Sequence, residues 1–282
     1  MDCESSCLQQ ISTFQNNMKE LLQKALLEAG NILMENFGNI TEYSVKESQS
    51  SIVTKADIES EKKIIEIILE IFPEHNTLGE ETGFQFRNSE FTWVIDPLDG
   101  TSNFAAGLPW FGVIICVLKN SVPFMSACFL PVQNELYFAE KGKGASLNGE
   151  KIAISKETEL KNILAAYSLD YSDETGKTER EAKVIQQLVS RIRNLRSTNC
   201  IIDLCYTADG KLGACINQTT KIWDIAGPGL IIEEAGGKVT DMQGNPFDFS
   251  LNADNYDRNF TIVGSNKVLH SELIKILNNG VQ

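Results

Sequence analysis

Between Leu8 and Phe37, apolar residues recur three or four positions apart: Leu8, Ile11, Phe14, Met18, Leu21, Leu22, Ala25, Leu26, Ala29, Leu33 and Phe37. That spacing gives a helix with one apolar face, and Gly38 ends it. A second helix is expected from about Ile58 to Phe72, stopping before Pro73. From Phe91 the period changes. Phe91 to Ile95, Phe111 to Lys119 and Pro123 to Pro131 are short apolar runs, Glu135 to Glu140 alternates, and Asn120-Ser121 is a polar turn. Consecutive strands with short turns predict an antiparallel meander. Lys141-Gly142-Lys143-Gly144 is basic and glycine-rich. It could touch phosphate, but a hairpin loop is the plainer reading.

After about residue 155, strands and helices alternate. Ile163 to Ser168 reads as a strand, Glu179 to Arg193 as a helix, Ile201 to Ala208 as a short helix and Gly213 to Asn217 as a strand, before a helix that opens at Asp224. Alternation of this kind marks an α/β half. Residues 1–150 are therefore expected to form an α+β half and 151–282 an α/β half, packed as one compact unit. No internal repeat or low-complexity linker divides them.

Charge narrows the function. The formal net charge is −13, which makes nucleic acid and anionic membrane poor partners. No run is long enough to span a membrane, and the N-terminus has no signal-like apolar core. The seven cysteines are scattered, without a C-x-x-C pair. Cys116 and Cys128 sit in apolar strand-like runs, where cysteine behaves as a small buried hydrophobe. A reduced, cytoplasmic setting is expected.

The candidate chemistry lies at Trp93-Val94-Ile95-Asp96-Pro97-Leu98-Asp99-Gly100-Thr101. An apolar run ends in two aspartates three residues apart, with a proline between them that is a turn signal. Carboxylates so crowded repel each other unless a cation sits among them. Backbone N–H groups at Gly100 and Thr101 could hold an anion in the same space. The alternative is a turn whose aspartates cap their own backbone. Two further segments add acids: Leu78-Gly79-Glu80-Glu81-Thr82 on an expected loop, and Trp223-Asp224 with a glycine-rich stretch to Gly237. Asp224 is a good N-cap for the helix it precedes, as is Asp57 for the helix beginning at Ile58. Only His75, on a polar loop, and His270, in a C-terminal helix, exist. Mechanisms built on histidine have little to work with, whereas a metal-activated water needs none.

Taken together, 93–104, 223–237, the Gly-Glu-Glu loop and Val53-Thr54-Lys55-Ala56-Asp57 resemble, in order, the motifs of the inositol monophosphatase family. The resemblance spans roughly residues 46 to 240 and implies a layered αβαβα sandwich. It implies that Asp96 bridges two magnesium ions, that Asp99 and the Leu98 carbonyl each ligate one, and that Glu80 and Asp224 complete a site for two or three. Glu81 is then a solvated or supporting neighbour and Trp223 is packing. Thr101, with its acidic partner Asp57, would orient the attacking water. Lys46 aligns with a lysine near the family's site. Pro228 stands where many members have a small residue; its missing N–H would leave the Asp224 carbonyl free.

Two departures concern the leaving group. Inositol-directed members carry an acid seven positions before the second-signature aspartate, where it contacts ring hydroxyls; here that position is Asn217. The family's Gly-Ser/Thr-Ala segment has Thr198-Asn199-Cys200 as its counterpart. The implied function is Mg²⁺-dependent hydrolysis of a phosphomonoester, with inositol monophosphate as the leading substrate. Glu80, Leu98, Asp99, Gly100, Thr101, Asn217 and Asp224 would contact it. A fructose bisphosphatase, a bisphosphate nucleotidase or a regulatory protein on the same fold are the alternatives. The family also implies a homodimer. Phe104 to Phe111 is a dense apolar stretch that could mark the contact, or be ordinary core.

Overall fold

The computed structural model describes residues 2–39, 42–46, 51–252 and 254–279, and of these the side chains outside 2–12 and 279. Leu8, Ile11, Cys3 and Cys7 therefore have no described side chain. The first helix, α1, runs Asp2–Asn36 and buries Met18, Leu22, Leu26, Ala29 and Leu33. The short pair β1 (Ser44–Val45) and β2 (Ile52–Val53) leads to α2, Lys55–Ile71. α2 begins three residues before the sequence suggests. Its N-cap is Thr54, and Asp57, the third helical residue, accepts hydrogen bonds from Thr54 N (2.8 Å) and Oγ1 (2.6 Å). Asp57 thus caps from inside the first turn rather than standing at the N-cap.

The first sheet has eight strands: β3 (Asn76–Gly79), β4 (Gly83–Gln85), β5 (Phe91–Asp99), β6 (Gly112–Lys119), β7 (Val122–Leu130), β8 (Glu135–Glu140), β9 (Gly144–Leu147) and β10 (Glu150–Lys151). Their order is β10-β9-β8-β7-β6-β5-β3-β4. Strands β5 to β10 form the expected antiparallel meander. The Gly-Glu-Glu loop is the turn of a β3–β4 hairpin. The Lys141–Gly144 tetrad joins β8 to β9; Gly142 N (2.7 Å) and Gly144 N (2.8 Å) donate to Glu234, so these amides serve packing.

After β5 comes the five-residue α3, Thr101–Ala105. The second sheet contains β11 (Leu164–Ser168), β12 (Asn194–Arg196), β13 (Ala214–Thr220), β14 (Lys238–Thr240) and β15 (Phe260–Ser265), in the order β12-β11-β13-β15-β14. Its helices are α4 (Lys177–Val189), α5 (Ile202–Ala208), α6 (Ile222–Glu234) and α7 (Lys267–Asn279). α4 is shorter than the Glu179–Arg193 expectation because Arg193 N bonds Ile163 O and the chain turns into β12. α6 opens at Ile222, so Asp224 is again the third helical residue; it accepts from Lys221 N at 2.7 Å. Pro228 lies within this helix, on its buried side.

Contacts among these elements give five layers. α1 and α2 cover one face of the first sheet, α5 and α6 lie between the sheets, and α4 and α7 cover the far face of the second. This is the αβαβα sandwich. Its central apolar cluster draws on both halves of the chain, joining Val94, Ile114 and Cys128 to Ala166, Ile225 and Ile231. Phe104 and Phe111 are fully buried, while Trp110 is 39% exposed. No helix among the described residues is long and apolar enough to cross a membrane.

Candidate active site

The site starts from a break in a β-ladder. Asp96 pairs with Ile114 of β6, but Asp99 pairs with Gly112, so β5 carries one extra residue between them. In a regular strand, residues three apart point to opposite faces; a one-residue bulge returns them to the same side. Pro97 lacks the N–H that a continuous ladder would use. Asp96 Oδ1 instead accepts the Leu98 N–H at 3.0 Å. The chain then turns through Gly100 at φ +90°, where a Cβ would meet the Trp110 carbonyl oxygen at 2.6 Å. Only glycine fits there.

Asp224 reaches the same space from the second sheet. β13 also loses register by one residue, between Asn217 and Thr220, just before α6. Thr220 Oγ1 donates to Asp224 Oδ2 at 2.6 Å. The result is that Asp96, Asp99 and Asp224 each place an oxygen within 4.8 Å of the others. Glu80 joins them on the wall of a cavity of about 150 Å³, together with Leu98, Gly100, Thr101 and Asn217. This cavity shares Glu80, Gly100, Thr101 and Asp224 with a wider cleft of about 1070 Å³.

One face of α2 supports the whole motif. Asp57 Oδ1 lies 3.0 Å from Thr101 Oγ1, which is also 2.9 Å from Leu98 O. Ser60 Oγ donates to Pro97 O at 2.9 Å. Glu61 is buried and accepts the N–H groups of Glu81 (2.9 Å) and Thr82 (2.8 Å), which fixes the turn that carries Glu80. Gly79 makes this approach possible, since a Cβ there would stand 2.4 Å from Glu61 Cδ. Glu61 was not singled out by motif, although an acid four residues after Asp57 on the apolar face of a helix is a readable signal.

Lys46 lies in the site. Its Nζ bonds Glu80 Oε1 at 2.8 Å and Glu81 Oε1 at 2.5 Å. Burial works against this ammonium, but the two glutamates outweigh it and raise its pKa. The acids are all shifted towards their neutral forms. Burial is the first cause for each; for Asp96 and Asp99, the neighbouring carboxylates add to it. Glu80 is raised to about 7 by burial and Asp224, against the pull of Lys46. Asp224 is raised by burial, with Thr220 and Lys221 opposing. Four such acids in one pocket need positive charge to be ionised together. The converging donors are carboxylate oxygens with no histidine or thiolate among them, the set that suits a hard divalent cation.

Asn217 lines the inner cavity, but its Oδ1 accepts the Thr219 N–H at 2.8 Å. One of its two acceptor lone pairs is engaged by the bulge it sits on. Trp223 is buried packing. Neither histidine lines the cleft. His75, expected on a polar loop, is half-buried between Phe72 and Phe91 and accepts the Trp93 indole N–H at 3.0 Å. That polar reading missed the aromatic residues on either side of it. His270 is buried beside Thr240. The described cysteines are free and buried.

A model of the inositol monophosphatase family matches residues 15–282. The chain belongs to that family. A protein of Aquifex aeolicus called fructose-1,6-bisphosphatase/inositol-1-monophosphatase is 32% identical over 92% of this chain and 96% of its own length. A Nus factor SuhB of Xylella fastidiosa is 33% identical over 79% of this chain and 82% of its own. Among solved structures, Thermotoga maritima IMPase superposes with a TM-score of 0.81 at 30% identity, covering 95% of this chain and 98% of that one. Membership places the chain among phosphatases of one fold; the relatives' names differ in substrate and role.

Proposed function

We propose that this chain is a magnesium-dependent phosphomonoesterase acting on an inositol monophosphate. The observation that carries the reading is the convergence of Asp96, Asp99 and Asp224 beside the Thr101–Asp57 pair. With Glu80 and the Leu98 carbonyl, those aspartates would hold two or three magnesium ions. Bound magnesium would supply Lewis-acid charge to the phosphate, the attacking water and the leaving oxygen. The N–H groups of Gly100 and Thr101 would steady the phosphate. Thr101 Oγ1 would accept a hydrogen bond from the attacking water while donating its own proton to Asp57 Oδ1. Asp57 is held for that task by both donors of Thr54. Solvent would protonate the leaving alkoxide.

The test is a comparison of kcat/KM for inositol 1-phosphate, fructose 1,6-bisphosphate and a nucleoside bisphosphate at fixed magnesium. The proposal expects the inositol ester to lead. A leading fructose 1,6-bisphosphate would favour the second reading, which the name of the Aquifex relative supports. A homodimer, with complete sites in each subunit, is part of the proposal; the half-exposed Trp110 beside the metal motif is its candidate contact. A monomer-sized, fully active species in sedimentation at micromolar concentration would remove it.

A further inference from the structure

Hydroxyl groups on a leaving alcohol need hydrogen-bond acceptors, and a carboxylate is the strongest one a side chain offers. At Asn217 the position expected to supply it is neutral, and its amide oxygen already accepts one hydrogen bond from Thr219 N, leaving at most one lone pair of an uncharged acceptor. The adjacent strand offers another acid. β11 runs parallel to β13 with Ser168 opposite Asn217, and Asp170 lies two residues beyond Ser168. Asp170 lines both the inner cavity and the wide cleft, alongside Glu80, Thr101 and Asp224.

Its carboxylate is held in place from one side only. Asn199 Nδ2 donates to Asp170 Oδ1 at 2.9 Å, and Asn199 also brackets Leu169, accepting its N–H at 2.8 Å and donating to its carbonyl. Asn199 does this from a left-handed backbone, φ +54°, which asparagine tolerates better than most residues. Asp170 Oδ2 accepts no hydrogen bond from a described residue. Burial raises the Asp170 pKa above the ordinary carboxylate value, and the charge of Lys177, itself 8% exposed and bonded to Thr219 Oγ1, opposes that shift. Glu181, at 3.9 Å from Lys177 Nζ, shares that ammonium.

Resting on the phosphomonoesterase reading above, we propose that Asp170 is the specificity-determining acceptor for hydroxyl groups of a polyol or cyclitol leaving group. In effect the acid expected on β13 has moved to the loop after β11. Asn199 is its positioning residue. This also gives a use to Asn199, which stands in the segment where the chain departs from its family.

The experiment compares Asp170→Asn with the unaltered protein on two substrates: inositol 1-phosphate, which has hydroxyls, and 4-nitrophenyl phosphate, whose leaving group has none. Asparagine keeps the shape and an acceptor for Asn199. The expected result is a KM for inositol 1-phosphate raised about tenfold with kcat within about twofold, as for loss of one charge-assisted hydrogen bond. kcat/KM for 4-nitrophenyl phosphate should stay unchanged, which also reports correct folding in the same sample. Equal losses on both substrates, or no change on either, overturn the assignment. Asp170→Ala serves as a second variant and should show the same selective loss. If the unaltered protein hydrolyses neither ester with magnesium, the phosphomonoesterase reading itself fails, a result distinct from a lack of selectivity in the variant.

Discussion

Replacing Asp96 by asparagine should abolish turnover and stabilise the metal-free protein, a combination that ordinary core mutations do not give. Asp96 is 1% exposed, and its carboxylate is within 4.8 Å of both Asp99 and Asp224. At an effective dielectric near 20, each ionised pair at that spacing repels by about 3 kcal/mol. Protonating one aspartate instead costs about 1.4 kcal/mol per pH unit above its ordinary pKa, or about 5 kcal/mol at pH 7.5. With two such neighbours Asp96 would bear about 6 kcal/mol of repulsion, so the metal-free fold carries the lower protonation cost, and asparagine removes it while keeping an acceptor for Leu98 N. The expected gain is about 1–4 kcal/mol, a rise in Tm of roughly 2–8 °C for a chain of this size. With magnesium present the sign reverses, because a ligand is lost. Losing about 4 kcal/mol of transition-state stabilisation lowers kcat about 10³-fold. Differential scanning calorimetry in EDTA and in magnesium, paired with phosphate release, checks both halves. A variant less stable than the parent in EDTA, or one that turns over within tenfold of it at millimolar magnesium, would refute the reasoning.

Three other outcomes follow from the same geometry. Thr101→Ala should lower kcat by roughly 10²–10³-fold while inhibition by inorganic phosphate stays within threefold, since the hydroxyl orients water and leaves the anion contacts in place; near-normal turnover would exclude the Thr101–Asp57 pair from the reaction. Gly79→Ala should destabilise by about 2–3 kcal/mol in urea titration, because the new methyl group displaces the Glu61 carboxylate from two backbone N–H groups; a change below about 0.5 kcal/mol would show that the hairpin turn does not depend on Glu61. Glu80 has its folded-state pKa raised to about 7, above the ordinary carboxylate value, so its contribution to stability is complete at low pH and is lost as pH rises through 7. Tm in EDTA should therefore fall between pH 5 and pH 8, by the equivalent of about 3 kcal/mol from this group, and magnesium should remove the fall; a flat or rising profile in EDTA contradicts the crowded-acid account.

The parts of the site that could be read from the chain are those whose spacing is local. Asp96, Asp99 and Thr101 sit in one short turn, and the meander beyond them has a clean strand period. The bulge was legible only as a proline between two aspartates; that it aligns both carboxylates on one side is a fact of pairing with β6. The helices bearing Asp57 and Asp224 begin three and two residues before the sequence suggests, for a single reason. Both aspartates cap from the third helical position, and a side chain accepting the N-cap amide looks, in sequence, like an N-cap. Ser60, Glu61 and Asp170 join the site across tertiary contacts of 20 or more residues, or across sheets, and no local period carries that information; Lys46 was indicated only by the family resemblance. Asn217 lines the inner cavity, and its hydrogen bond from Thr219 N depends on the second bulge, which no local pattern announces.

The most direct test of the account is release of phosphate from inositol 1-phosphate by the purified protein, followed as magnesium is added, chelated by EDTA and restored. The account predicts release that depends on magnesium, stops on chelation and returns on restoration, and that is about 10³-fold slower in Asp96→Asn. Release that persists in EDTA, or that stays within tenfold of the parent in the variant, would contradict it.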